Sequence, residues 1–342
     1  MRAFRAPGRV NLIGDHTDYN DGFVFPLAVD LECVVRARPR EDGVVRVTSG
    51  AFGSTVEVPA DGSAEPTRVE PEWGRIVAGV VRALASRGRA AVGIEGDVSS
   101  TVPVGGGLSS SAALEVSLAL ALCDSGGLEL DGVELAHACQ DAEHLATGVP
   151  SGIMDQLSSI AGRRGCALLI DCRSLEVEPI PLPPDLAVLV ADSGVSRALG
   201  GTAYAERRAE CEAIAARLGL RALRDATPEQ VADEPRARHV VSKNARVLAF
   251  ADALRRGDEA ALGPLLLASH ASLRDDFEVS TPELDALVDA LVDAGALGAR
   301  LTGAGFGGSV VALVPAARAA EIAAAVDAPA VVCKAVDGAG PI

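Results

Sequence analysis

Residues 103–113 read PVGGGLSSSAA and run directly into an apolar stretch ending near residue 123. Three consecutive glycines let a backbone pass close to a ligand and take positive φ. A helix starting here presents unpaired N–H groups and a partial positive charge to the loop. The pattern predicts an anion site suited to phosphates, with serines able to cap the helix or to reach a phosphate or a Mg²⁺ ion. GxxxxGK[ST] is missing, and no GxGxxG opens a βαβ unit, so this is neither of those two nucleotide loops.

Two more stretches are chemically loaded. Residues 6–22, APGRVNLIGDHTDYNDG, crowd Arg9, Asn11, Asp15, His16, Asp18, Tyr19, Asn20 and Asp21 between short apolar patches. Such a crowd is poor core material and suits multiple hydrogen bonds to a polyhydroxylated ligand. A solvated turn with Asx capping is the other reading. Residues 301–309, LTGAGFGGS, place four glycines in six positions before a strand. Taken alone this reads as a flexible hairpin, with close backbone approach to a ligand as the alternative. Two acids stand between: Glu143 in DAEHLATG, and Asp155 among the apolar Ile153, Met154 and Leu157. One carboxylate and one serine hydroxyl suffice as the protein's share of a Mg²⁺ shell that phosphates and water complete.

The elements that must position these groups alternate between strand and helix. Strands are expected at 44–49, 91–97, 166–172 and 186–192. Helices are expected at 109–123, with serines at its start, and at 131–147, opened by Asp131. Further helical patterns occupy 204–218, 240–256, 258–272 and 282–295. A glycine turn (303–308), a strand, a helix (316–326) and a last strand follow. The proline-rich segment 175–185 breaks the pattern, and a domain boundary is expected near it. The class is α+β, with domains at 1–180 and 181–342.

Composition narrows the partners. The 342 residues carry 31 Lys+Arg against 47 Asp+Glu, a net charge of −16, and Lys243 and Lys334 are the only lysines. That balance argues against nucleic acid and against adsorption to an anionic membrane. Seven cysteines show no CxxC pair, which speaks against zinc and a disulfide framework and for reduced thiols in the cytoplasm. The start, MRAFRAPGRV, has no secretory h-region. Trp73, the single tryptophan, is read as a packing residue, with a place beside an adenine as the alternative. His137, His144, His239 and His270 are read as structural or surface residues.

The three stretches, in this order, resemble the signature motifs of the superfamily of galacto-, homoserine, mevalonate and phosphomevalonate kinases, and GRVNLIG-x-HTDYN resembles the galactokinase signature. GIMDQ (152–156), DCRSLE (171–176), YxxRRxECE (204–212) and SHASLRDDFEVSTPELD (269–285) extend the likeness over nearly the whole chain. The resemblance implies an N-terminal nucleotide- and sugar-binding α+β domain, a ferredoxin-like C-terminal α+β domain and an active site in the cleft between them. It implies transfer of the ATP γ-phosphoryl group to the anomeric hydroxyl of galactose, with ATP and Mg²⁺; beside it, a cytoplasmic monomer is expected. Gly105, Gly106, Gly107, Leu108, Ser109, Ser110 and Ser111 match the nucleotide phosphate loop. Ser111 and Glu143 match the Mg²⁺ ligands, Asp155 the catalytic base, and Arg9 the arginine beside the transferred phosphoryl group. Asp15, His16, Thr17, Asp18, Gly152 and Tyr204 match sugar-binding positions, with His16 a hydrogen-bond donor to the sugar. Gly303 to Gly308, including Gly305, match the third motif.

Two positions depart from the pattern. Asp15 stands where galactokinases usually carry Glu, which shortens the carboxylate by one methylene, and Ala304 stands where they usually carry Gly. Another sugar phosphorylated at C1, an amino sugar, a pentose or a modified sugar of secondary metabolism, is therefore the alternative substrate. A sugar-binding regulator without turnover is the alternative of a different class. If Arg9 lies against Asp155, its charge makes that carboxylate a weaker base. Asp155 then accepts the proton late or acts by orientation.

Overall fold

A computed structural model describes residues 1–195 and 200–342. The first half runs β1 (Arg2–Asn11), β2 (Phe23–Val24), β3 (Pro26–Arg40), β4 (Val44–Ser49), β5 (Ser54–Pro59), α1 (Gly74–Ala85) and β6 (Gly93–Ser100). Next come α2 (Ser110–Gly126), α3 (Gly132–Thr147), α4 (Met154–Ala161), β7 (Cys166–Asp171) and β8 (Val177–Pro181). The second half runs β9 (Leu186–Asp192), α5 (Gly200–Arg217), α6 (Pro235–Arg256), α7 (Glu259–Asp275) and α8 (Pro282–Asp293). It ends with β10 (Gly298–Thr302), β11 (Ser309–Pro315), α9 (Ala319–Ala325), β12 (Ala330–Cys333) and β13 (Gly340–Pro341).

A six-stranded sheet, ordered β13-β1-β3-β6-β4-β5, carries the first half. Its pairs are antiparallel except β4 with β6. The strict alternation of buried residues in β4 (Val45, Val47, Ser49) turns one face to the core. Helix α2 packs on β1 and β3, and α1 and α3 pack against α2. Apolar residues surround α2 on all sides, as burial between sheet and helices demands. Asp131 starts α3 with a capping box, its carboxylate accepting from the Val133 and Glu134 amides.

The second half holds a four-stranded antiparallel sheet ordered β10-β11-β9-β12. With helices after its first and third strands, this is the ferredoxin-like arrangement. The last strand, β13, returns to pair with β1. Among the described residues no helix is long and apolar enough to cross a membrane.

Several elements depart from the sequence expectation. The segment 175–185 does not simply break the pattern, because it contains β8. That strand lies at the edge of the small β2-β7-β8 sheet, where a proline need not supply a ladder N–H. The strand expected at 91–97 lies at Gly93–Ser100. Helix α1 is an addition to the expected elements, and Gly79 within it governs its packing. A Cβ there would meet the Ala142 carbonyl oxygen at 2.4 Å, so the glycine sets how closely α1 and α3 approach. The polar crowd at 6–22 is not a solvated turn. Arg9, Asn11, Asp15, His16 and Thr17 are all buried, each with hydrogen-bond partners as buried polar groups require.

Candidate functional site

The core of the site is an ion pair between the first strand and the first turn of α4. Arg9 Nε donates to Asp155 Oδ1 at 2.7 Å and Arg9 Nη2 to Oδ2 at 2.8 Å, a bidentate fork. Arg9 Nη1 donates to the Gly107 carbonyl at 2.6 Å, tying the same guanidinium to the glycine loop. The loop rests on β1, where the Arg9 amide donates to the Leu108 carbonyl at 3.1 Å. Gly8 permits this, since a Cβ there would meet the Leu108 oxygen at 2.6 Å. The serine expected to cap α2 does not do so. Ser109 occupies the N-cap with left-handed backbone angles and no capping bond, and its hydroxyl donates to Asp155 Oδ2.

A cavity of about 240 Å³ opens beside this pair. Arg9, Asp15, His16, Asp18, Glu143, Gly152, Asp155, Tyr204, Gly303 and Ala304 all border it. Gly152 is bare because Asp18 needs the room: a Cβ there would meet Asp18 Oδ2 at 1.8 Å. Burial raises the Asp18 pKa to about 6, and the charge of Asp155 adds to the rise. Burial also holds the Tyr204 phenol well above its ordinary value, so it remains a hydrogen-bond donor.

His16 lies with its ring 4.7 Å from that of Phe277 and 5.4 Å from that of Tyr204. Its Nε2 faces the Ala304 carbonyl at 3.1 Å and its Nδ1 the Tyr19 hydroxyl at 2.8 Å. A carbonyl only accepts, so Nε2 carries the proton and Nδ1 accepts from tyrosine. Burial lowers the His16 pKa to about 4, which keeps the ring neutral. Both nitrogens are thus engaged within the protein. Thr17 does not reach the cavity: it is fully buried, its hydroxyl 2.6 Å from the carbonyl oxygens of Gly14 and Phe23. Gly305 also lies off the cavity, its left-handed turn pressed against the Val279 carbonyl.

Asp15 is almost fully buried and receives three donors. The Gly303 amide reaches Oδ1 at 2.6 Å, while Asn11 Nδ2 (2.9 Å) and the Arg300 guanidinium reach Oδ2. Arg300, wholly buried on β10, also donates to the carbonyls of Asn11 (3.1 Å) and Leu12 (2.9 Å). Here the third glycine stretch is fastened to the first. It is not a loose hairpin: Thr302 and Ser309 pair across it, and Gly303, Gly305, Phe306, Gly307 and Gly308 all take positive φ. Arg300 is absent from the residues that the sequence motifs single out. A lone arginine in the apolar run before LTGAG is the signal that could have found it.

On the loop side, Ser111 Oγ donates to Glu143 Oε1 at 3.2 Å. Ser151 Oγ (2.5 Å) and Gln156 Nε2 (3.1 Å) hold the other carboxylate oxygen, Oε2. One carboxylate oxygen and one hydroxyl converging on a phosphate-type loop fit a Mg²⁺ ion that takes its remaining oxygens from phosphates and water. Gln156 also donates to Glu115 at 3.0 Å. Burial and the nearby Glu143 push the fully buried Glu115 carboxyl well above its ordinary value.

Beyond the loop lies an apolar pocket of about 190 Å³ lined by Phe52, Trp73, Ile76, Val102, Ser110 and Ser111, among others. Phe52 and Trp73 stack with centroids 5.6 Å apart and planes 10° off parallel, and Trp73 Nε1 donates to Ser54 Oγ at 2.9 Å. Trp73 therefore both packs and borders a cavity next to the glycine loop. Phe52 has no motif to mark it, and its solvent exposure of 46 % is visible only in the fold.

Comparison with known proteins gives a consistent set of likenesses. The galactokinase galactose-binding signature matches residues 2–39, the GHMP kinases N-terminal domain 75–163 and the GHMP kinases C-terminal domain 250–331. A galactokinase of Roseiflexus sp. is 47 % identical, the match covering 99 % of this chain and 92 % of that protein. One of Chloroflexus aggregans is 48 % identical, over 95 % of this chain and 86 % of that protein. The crystal structure of Lactococcus lactis galactokinase complexed with galactose superposes with a TM-score of 0.92 at 34 % identity, over 100 % of this chain and 95 % of that one.

Proposed function

Because the chain belongs to the galactokinase family, we infer that it transfers the γ-phosphoryl group of ATP to the anomeric C1 hydroxyl of D-galactose, giving α-D-galactose 1-phosphate and ADP. The observation that carries the reading is the Arg9–Asp155 fork, which stands where the glycine loop meets the cavity. Phosphoryl transfer depends on positioning and on stabilising charge at the γ-phosphate. We assign galactose to the cavity, with Asp18 and Tyr204 among its polar contacts and with His16 shaping the wall. The triphosphate lies along Gly105–Ser111 and the start of α2, and the base enters the pocket of Phe52 and Trp73.

In this assignment Asp155 takes the proton of the sugar's O1–H. The O1 electron pair forms the new bond to phosphorus while the bond to the ADP oxygen breaks. Arg9 bears on both partners of the step, since it grips Asp155 and its charge lies beside the loop assigned to the phosphates. It holds Asp155 in place and balances the anion where no lysine stands near the loop. Ser111 and Glu143 would hold Mg²⁺, which when bound supplies charge neutralisation to the phosphates. Asp15 fastens the wall through Arg300 and the Gly303 amide. The near-full-length likeness to galactokinases favours galactose over another sugar. We place the enzyme in the cytoplasm, where seven unpaired thiols belong, and propose that it acts as a monomer.

The test is ADP release with Mg²⁺-ATP, sugar by sugar: galactose, N-acetylgalactosamine, arabinose, glucose and a blank. Strong turnover of galactose alone, abolished by Asp155→Ala, is the expected result. ATP binding without galactose turnover would overturn the substrate assignment.

A further inference from the structure

Ser109 is the one residue of the glycine–serine loop whose backbone contradicts its type. Its φ of 57° and ψ of 52° are left-handed, a region costly for any residue but glycine. A serine at an N-cap normally has extended backbone angles and accepts from the first-turn amides. Here the left-handed turn swings the hydroxyl off the helix and onto Asp155 Oδ2. Strain kept at one position of an otherwise regular helix start points to a role for that residue.

The acceptor sites of Asp155 define the role. Each carboxylate oxygen has about two lone-pair sites. Among the described residues Oδ1 receives Arg9 Nε, whereas Oδ2 receives both Arg9 Nη2 and the Ser109 hydroxyl. Resting on the assignment of Asp155 as the base, we propose that Ser109 is a positioning residue: it fills the last acceptor site of Oδ2 and leaves Oδ1 as the oxygen that takes the sugar proton. The single hydroxyl proton of Ser109 is thereby committed to Asp155. The nucleotide phosphates are then served by the loop amides and by Ser110, while Ser111 stays with Glu143 and Ser109 with Asp155, against the sequence expectation for this loop.

The test uses Ser109→Gly, which keeps the left-handed turn and removes the hydroxyl, with Ser109→Ala as its companion. Nucleotide affinity is read separately from turnover through the fluorescence of Trp73, the only tryptophan, which borders the pocket next to the loop. We expect kcat on galactose to fall about 10- to 100-fold in both variants, as for loss of a hydrogen bond to a charged group, with Mg²⁺-ATP affinity within about twofold of wild type. In an Asp155→Asn background the Ser109→Gly change should alter kcat less than about twofold, because the two groups act as a unit. Weakened ATP affinity with kcat retained at saturation makes Ser109 a phosphate ligand and overturns the proposal, as does an equal kcat loss in the Asp155→Asn background. Wild-type turnover of galactose, measured first, tests the family reading by itself. With turnover present, an unchanged kcat in Ser109→Gly sinks only the role of Ser109.

Discussion

Asp15→Asn tests the buried junction behind the sugar cavity. The wild-type carboxylate accepts from donors on both sides: the Gly303 amide on Oδ1, and Asn11 Nδ2 with Arg300 on Oδ2. An amide of the same shape has one oxygen. Whichever way it turns, its NH₂ faces at least one donor and a bond is replaced by a repulsive contact. Arg300, with no exposed surface, keeps two backbone carbonyls but loses its counter-charge. Removing one member of such a pair costs about 3–5 kcal/mol, chiefly because the other charge stays buried and unpaired. At about 2.1 cal/mol/K per residue, a chain of this length unfolds with about 0.7 kcal/mol/K, so Tm should fall by about 4–7 °C. Calorimetry at pH 7.5 measures this directly. Arg300→Met should show a loss of similar size. The double variant Asp15→Asn/Arg300→Met should lose clearly less than the two singles together, because no uncompensated charge remains. A Tm change below about 1.5 °C in Asp15→Asn, or strict additivity in the double variant, refutes the reasoning, since either means the pair is not electrostatically coupled.

Three further outcomes follow from the same geometry. Gly152→Ala places a methyl group 1.8 Å from Asp18 Oδ2, the movable end of a side chain. The fold should absorb it with little change in Tm, while KM for galactose rises about tenfold or more and KM for ATP holds. Unchanged steady-state kinetics would show that Asp18 does not contact the sugar. The folded pKa of Asp18 lies at about 6, above its ordinary value of 3.8. Its contribution to stability is thus fully present below the unfolded pKa and is lost as pH rises through about 6. Asp18→Asn should come closest to wild type at or below about pH 4 and become relatively more stable toward pH 8. A thermal-melt difference that stays flat across this range contradicts the burial of that carboxyl. Trp73→Ala should weaken ATP binding about tenfold, from the loss of a stacked aromatic wall, and leave galactose affinity alone. A galactose defect of equal size in equilibrium titrations would place the nucleotide base elsewhere.

Much of the site was legible because its chemistry is written locally. Three glycines followed by serines and an apolar run can form only a few structures, and the loop before α2 is one of them. Asp131 followed three residues later by Glu134 is a complete helix start within four residues. Where sequence and structure part, the missing information lies far away in the chain. The first polar stretch looks too hydrophilic to bury, yet burial becomes possible once Arg300 and Gly303, 285 and 288 residues away, supply partners to Asp15. Prolines in 177–181 look like breakers, yet an edge position removes the objection to them.

The sequence by itself determined which groups are present and how the backbone can turn locally. It holds the glycines that take positive φ, the acids on helix starts, the single arginine of the first motif and the absence of lysine near the loop. Those properties depend on neighbours within one or two turns of chain. Only the tertiary structure decided what each group does with its hydrogen bonds. It turned Ser109 from a helix cap into a donor to Asp155, occupied both nitrogens of His16, withdrew Thr17 into the core and set Phe52 and Trp73 face to face beside the loop. The reason is physical: a polar side chain has few donors and acceptors, and burial obliges it to use them on whatever packing brings within about 3 Å. Which atoms arrive there depends on how distant strands pair.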